Sequence, residues 1–126
     1  MTHEDDKTLV EALAAARRAG RACALATIVG TRGSTPRKVG ARMLVDPAAG
    51  LTGTVGGGCG EAEVIESAYR VLETGVTERV RVDLTEDFTT WSPAVCGGVM
   101  DIFVEVVPAP MSGASVDARS EVGPGS

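Results

Sequence analysis

The strictest pattern in the chain is an alternation: Val76, Val80, Val82 and Leu84 are set against Thr77, Arg79, Arg81 and Asp83. A period of two belongs to a strand with one face in water, so residues 77–84 are predicted to form a half-exposed strand. Two other stretches follow the helical period. In residues 5–20, Leu9, Val10, Leu13, Ala14 and Ala16 recur at helical spacing. Acids lie in the first turn, Arg17 and Arg18 lie in the last, and Gly20 stands where a helix stops. In residues 61–73, Val64, Ile65, Ala68, Val71 and Leu72 share one face while Glu63, Glu66 and Arg70 share another, and Gly75 closes the run.

Residues 21–29 show no alternation. The segment Cys23-Ala24-Leu25-Ala26-Thr27-Ile28-Val29 is nearly all apolar, and its flanking glycines and β-branched end favour a buried strand over a helix. Residues 41–45 and 51–55 read as short strands joined by Asp46-Pro47-Ala48-Ala49-Gly50, a hairpin turn. Residues 99–107 read as the last strand, and residues 30–40 and 85–98 as polar loops. The sum is an α/β fold, a single mixed sheet of about five strands packed with two main helices. Residues 1–108 are expected to form this domain. Residues 109–126, dominated by Pro, Ser, Gly and Ala, are expected to be a disordered tail.

Composition narrows the function. The 126 residues are 44% hydrophobic but only 3% aromatic, so aliphatic side chains must build the core and no aromatic platform exists for stacking on bases. The net charge of −5 and pI near 4.8 argue against general nucleic-acid binding. No apolar run is long enough to span a bilayer, and the acidic start Met1-Thr2-His3-Glu4-Asp5-Asp6 is unlike a signal peptide. Three cysteines without a framework spacing do not make a disulfide scaffold, and the reading is of a cytoplasmic protein with reduced thiols.

Three loops carry candidate chemistry. In the first, Gly56-Gly57-Gly58-Cys59-Gly60-Glu61 joins a strand to a helix. Glycines let a ligand approach the main chain, helix N–H groups attract phosphate, and a thiol at that terminus is stabilised as the thiolate. The bland alternative is a tight turn with a small buried cysteine. In the second, Cys96-Gly97-Gly98 precedes the last strand, and Cys96 is equally readable as a loop-end core residue. In the third, Arg32, Arg37, Lys38 and Arg42 cluster within an acidic chain, which suits a small phosphate-bearing ligand, although charged loops are often only solvated. Ser34 and Thr35 either add hydroxyl hydrogen bonds to that ligand or satisfy their own turn before Pro36. Cys23, inside an apolar run, is expected to be a packing residue. The one histidine, His3, is near the terminus, so neither a structural zinc site nor a Cys–His pair is expected.

The same loops resemble the XdhC/CoxI family. TRGSTPRKVGARMLV (residues 31–45), GTVGGGCGEAEVI (residues 53–65) and CGGVMDIFVE (residues 96–105) are similar, in order and spacing, to that family's three motifs. The resemblance covers residues 8–108. It implies an accessory protein that binds the molybdenum cofactor, a molybdopterin, and assists its sulfuration and insertion into a molybdenum hydroxylase such as xanthine dehydrogenase or carbon monoxide dehydrogenase. It also implies two partners, the hydroxylase large subunit and a cysteine desulfurase. Carried onto this chain, it makes Cys59 and Cys96 the residues that hold the cofactor and contact molybdenum through it. Gly56, Gly57, Gly58, Gly60, Arg32, Ser34, Arg37 and Arg42 then complete the site.

Many family members carry a second, Rossmann-like domain, whereas this chain runs into its Gly/Pro/Ser tail. Cofactor binding is therefore expected to draw on a homodimer or a separate Rossmann-domain subunit. Gly60 stands where the family often has a larger residue. The leading expectation is a cofactor-binding chaperone without turnover of its own. The alternatives are a thiol-dependent transferase acting through Cys59 and an interaction module that has lost cofactor binding.

Overall fold

A computed structural model describes residues 3–55, 60–84 and 97–110. Its elements are α1 (His3–Arg18), β1 (Cys23–Arg32), β2 (Arg42–Asp46), β3 (Gly50–Gly53), α2 (Glu61–Thr74), β4 (Glu78–Asp83) and β5 (Val99–Val107). The strands form one sheet in the order β3-β2-β1-β5-β4. The expected α/β fold, with one sheet of five strands and two helices, is what forms. Its connectivity is simpler than a mixed sheet, because all four pairings are antiparallel.

The apolar run of β1 has a direct cause: both faces of this central strand are covered. Cys23 joins Leu9, Ala16 and Leu44 in a small core under α1, with Leu25 packed against it. Ala24, Ala26 and Ile28 face the other way, into the main core with Val64, Ala68 and Val71 of α2. That core also takes in Met43 and Val45 from β2, Val82 from β4, and Met100, Ile102 and Val104 from β5. Alanines at 24, 26 and 68 let α2 lie close to the sheet, and each fully buried Ile, Val or Met adds roughly 1.5–3 kcal/mol. The helices divide the sheet between them. α1 lies over β2 and β3, whereas α2 spans β1, β5 and β4 on the opposite face. The face of β4 and β5 turned away from α2 therefore stays open, with Arg79, Arg81 and Phe103 exposed on it. That openness produces the alternation in β4.

Most predicted bounds agree with the structure within a few residues, and β5 coincides. One difference matters. β1 continues through Gly30-Thr31-Arg32, where a loop was expected, because these residues pair with Asp101, Met100 and Val99 after a register irregularity between Ile28 and Gly30. Ladder pairing overrides the local polar composition there. β3 stops at Gly53 rather than continuing to residue 55. Gly53 has φ of 81°, outside the range of a regular strand, and a side chain there would run into the Arg42 carbonyl. The expected tail begins with residues 109 and 110, which have no regular structure; the rest of it lies outside the described residues.

Two polar networks tie elements together. Asp46, 5% exposed at the end of β2, accepts hydrogen bonds from Arg21 Nε at 3.0 Å and Arg21 Nη2 at 2.8 Å, and from the Ala48 amide at 3.0 Å. This bidentate pair fixes the approach to β1 against the β2–β3 turn. On the other side, buried Ser67 of α2 donates to Glu78 Oε1 at 2.7 Å, and Arg70 grips the same carboxylate at 3.0 and 3.1 Å. These bonds lower the Glu78 carboxyl below its ordinary range, Arg70 having the larger effect.

The Arg21 hydrogen bonds hold the Asp46 carboxyl at about 2, against its burial, which acts the other way. A folded value below the unfolded one gives stability that is complete above pH about 4 and lost as the pH falls towards 2. The urea midpoint of the protein should therefore drop between pH 4 and 2. In Asp46→Asn that drop should be smaller and the midpoint at pH 7 lower. An unchanged acid limb in the variant would refute this role.

Candidate functional site

The topology gathers the three motif loops at one end of the sheet. β1 ends there at Arg32, and β5 begins beside it at Val99, its ladder partner. β4 ends there at Asp83, again opposite Val99. β3 ends there too, its Gly53 opposite Met43 near the start of β2. The β1–β2, β3–α2 and β4–β5 connections therefore share one end. The β2–β3 turn and Gly75 lie at the other end, with Pro108, whose carbonyl accepts from Arg17 at 3.4 Å.

Direct contacts join these connections. The Leu84 amide donates to the Gly98 carbonyl at 2.9 Å, closing the base of the β4–β5 connection. Gly98 is buried against the Arg32 loop. A Cβ there would strike the Arg32 carbonyl and stand 2.6 Å from the Ser34 carbonyl and 2.8 Å from Thr35 Cγ2. From the other side, a Cβ on Gly33 would stand 3.1 Å from Gly98 Cα. Gly60 precedes α2 with φ of 76° and has no room for a side chain, because Val82 Cγ1 of β4 occupies that space. The departure from a larger residue at 60 thus has a local reason: the entry to α2 is pressed onto the edge strand.

α2 starts without a side-chain cap from residue 60, and Glu61 and Glu63 lie in its first turn. The Glu61 carboxylate accepts from the Thr54 hydroxyl, which ties the last residues before the glycine loop to the helix that follows. Gly56, Gly57, Gly58 and Cys59 lie outside the described residues, as does Cys96. Their described neighbours Val55, Gly60, Leu84 and Gly97 all belong to connections at this end of the sheet.

The four cations separate into two groups. Arg42 Nη2 is held by Asp6 Oδ1 of α1 at 3.1 Å. Arg32, Arg37 and Lys38 are exposed and have no ion-pair partner among the described residues. Thr35 Oγ1 donates to the Arg37 carbonyl at 2.8 Å, so this hydroxyl serves its own loop, whereas Ser34 is exposed. The loop is anchored at its far end too, where the Gly40 amide donates to Ile28 and the Ile28 amide donates to Ala41, both at 2.9 Å. The result is a loop carrying three cations without an ion-pair partner among the described residues, backed by the main chain of Gly98, a setting suited to phosphate oxygens. Sequence reasoning picked out the cations and both glycine loops, but not Gly33 and Gly98 as a contact. The adjacent glycines before β5 were the available signal.

The fold is thus an α/β domain that brings an arginine-bearing loop and two glycine-containing connections to one end of its sheet. Comparisons with known proteins give it a family. The model of the XdhC and CoxI family matches residues 16–83, just over half of the chain. The chain belongs to that family. It is 36% identical over 83 residues to the uncharacterized protein YqeB of Escherichia coli K12, a match covering 66% of this chain and 15% of YqeB. It is also similar to a solved chain described as a xanthine dehydrogenase from Bacillus halodurans, with a TM-score of 0.67 and 31% identity, over 81% of this chain and 30% of that one. The chain thus spans less than a third of the length of either relative.

Two measurements check this geometry. Gly60→Ala should destabilise the fold by about 1–3 kcal/mol, from the left-handed φ and the clash with Val82. The loss should shrink in a Val82→Ala background, whereas strict additivity of the two in urea unfolding would exclude the contact. Cys23 is fully buried, and burial pushes its thiol above the ordinary value. Mass spectrometry after native alkylation at pH 8 should find Cys23 unmodified, and unfolding in urea should make it reactive.

Proposed function

We propose that the chain is a maturation factor for a molybdenum hydroxylase, binding the molybdenum cofactor and assisting its sulfuration and insertion. The observation that carries this reading is the convergence of the three motif connections on one sheet end, with Arg32, Arg37 and Lys38 beside them and without an ion-pair partner among the described residues. Family membership and the likeness to the chain described as a xanthine dehydrogenase support the molybdenum-enzyme context.

The described residues fit the anionic part of a molybdopterin. Arg32 and Arg37 would hold its phosphate by charge-assisted hydrogen bonds, with Lys38 as a point charge and Ser34 as a hydroxyl donor. Gly60 and the glycines at 56–58 would leave main-chain N–H groups at the start of α2 open to the ligand. Cys59 and Cys96 would give soft thiolate contacts suited to molybdenum. Arg42, held by Asp6, would shape the site through α1 and β2 rather than by direct charge. When bound, the cofactor supplies a dithiolene-held molybdenum centre that the hydroxylase uses. The role of this chain is to hold that group and keep it from water, and the reading places it in the cytoplasm as a chaperone without turnover. The working unit is the domain of residues 1–108, with the hydroxylase large subunit and a cysteine desulfurase as partners. A homodimer or a separate Rossmann-domain subunit would complete the enclosure.

The full chain, purified from cells with active molybdenum-cofactor synthesis, should carry molybdopterin, read as the fluorescence of its oxidised pterin. Cys59→Ala should lose most of it. Arg32→Gln with Arg37→Gln should lower retention roughly tenfold, the loss of about 1.4 kcal/mol of binding. Wild-type protein free of pterin would overturn the reading, and full retention in Cys59→Ala would remove that residue from it.

A further inference from the structure

Gly98 is not at a position where the backbone demands glycine. Among the described residues the glycines with positive φ are 20, 33, 40, 50, 53, 60 and 75, and Gly98 is not one of them. What excludes a side chain at 98 is contact. The space a Cβ would fill is taken by the carbonyls of Arg32 and Ser34 and by the Thr35 methyl. Two of these three are backbone atoms, which cannot swing aside as a side-chain tip can. Gly97, one residue earlier, has no described residue within 4 Å of where its Cβ would go. The two neighbours therefore differ sharply in what they touch, although both are glycine in the same segment.

The contact also has a direction. The Gly98 carbonyl is held by the Leu84 amide, and Val99 immediately enters the β1–β5 ladder opposite Arg32. Gly98 is thus fixed on two sides, and added bulk there must displace the third, the loop that leaves β1 at residues 33–35. Gly33 meets it from that loop, with φ of 72° and its own Cβ position 3.1 Å from Gly98 Cα. Main chain packs on main chain, and the cations at 32, 37 and 38 ride on the segment so held.

We propose that Gly98 is a positioning residue that, through its contact with Gly33 and the Arg32 and Ser34 carbonyls, sets where the basic loop stands relative to the chain entering β5. The ligand consequence rests on the cofactor-binding reading above; the positional claim does not. A methyl group at 98 moves residues 33–38 outward and separates Arg37 and Lys38 from Gly98, while the β1–β5 ladder beneath remains paired.

The test compares Gly98→Ala with Gly97→Ala in the full chain, by amide NMR shifts and hydrogen exchange and by molybdopterin retention. In Gly98→Ala, amide shifts should move throughout residues 33–38 and exchange there should speed up at least tenfold. Amides of Ala24, Ala26, Val104 and Val106 should be unchanged, and Gly97→Ala should match wild type. Pterin retention should fall in Gly98→Ala about as far as in Arg32→Gln/Arg37→Gln, and combining the three changes should lower it no further. A purely structural role would instead perturb the sheet amides and add to the arginine changes. Loop amides that respond equally to 97 and 98, or to neither, overturn the inference. If Gly98→Ala does not fold, Gly33→Ala presses on the same contact from the loop side, with Gly40→Ala, also at positive φ but with no described residue at its Cβ position, as the control for backbone strain. Residues 33–38 should respond to Gly33→Ala beyond Gly40→Ala, and an equal response overturns the inference. Wild-type protein without pterin, together with a displaced loop in Gly98→Ala, would overturn the cofactor reading and leave the positioning role standing.

Discussion

The pairing of β1 with β5 is the constraint on which the rest of the structure depends. It joins segments from opposite ends of the folded part, from Cys23 opposite Val107 to Arg32 opposite Val99. Every other element attaches to one of these two strands or to their immediate neighbours. β2 pairs with β1, β4 pairs with β5, and α2 lies across both. Because the ladder runs antiparallel, the end of β1 and the start of β5 come together, and with them the arginine loop and the second glycine connection. The site is a consequence of this register. A slip of one residue would turn Ala24, Ala26 and Ile28 out of the main core, so burial and site geometry are specified by the same pairing.

Charge is used in two distinct ways around this frame. Arg21, Arg42 and Arg70 are each committed to a carboxylate on another element: Asp46, Asp6 and Glu78. These pairs join α1 to β2, the approach of β1 to the β2–β3 turn, and α2 to β4. Arg32, Arg37 and Lys38 have no such partner among the described residues, although the protein is acidic overall. Their spacing in one exposed loop sets a local cluster of positive charge against the negative charge of the chain as a whole.

How much of this was legible in the sequence follows from what periodicity can and cannot encode. The two helices, the last strand and the α2 face of Val64, Ala68 and Val71 were readable, because burial of one face dictates spacing. The extension of β1 through Arg32 was not, since Gly30, Thr31 and Arg32 are polar or small and become strand only by pairing with residues far along the chain. The commitment of Arg42 to Asp6 was equally hidden, because a run of four cations carries no information about which one has a partner across the sheet. The glycines show the same limit. Sequence reasoning treats a glycine as a turn residue or a ligand approach, and Gly53 and Gly60 do have positive φ. Gly98 is glycine because another loop passes over it, and that is knowable only once the fold is formed.

The two borders of the sheet are built differently. β3, on one side, is four residues long and has a positive-φ glycine at each end, Gly50 and Gly53. β4, on the other, presents exposed Arg79 and Arg81 at alternate positions. A short strand with interrupted backbone offers little template to an incoming chain, and charged side chains on an edge strand make it a poor partner for an apolar one. The sheet thus closes its two flanks by different means, a brief strand on one and a charged one on the other.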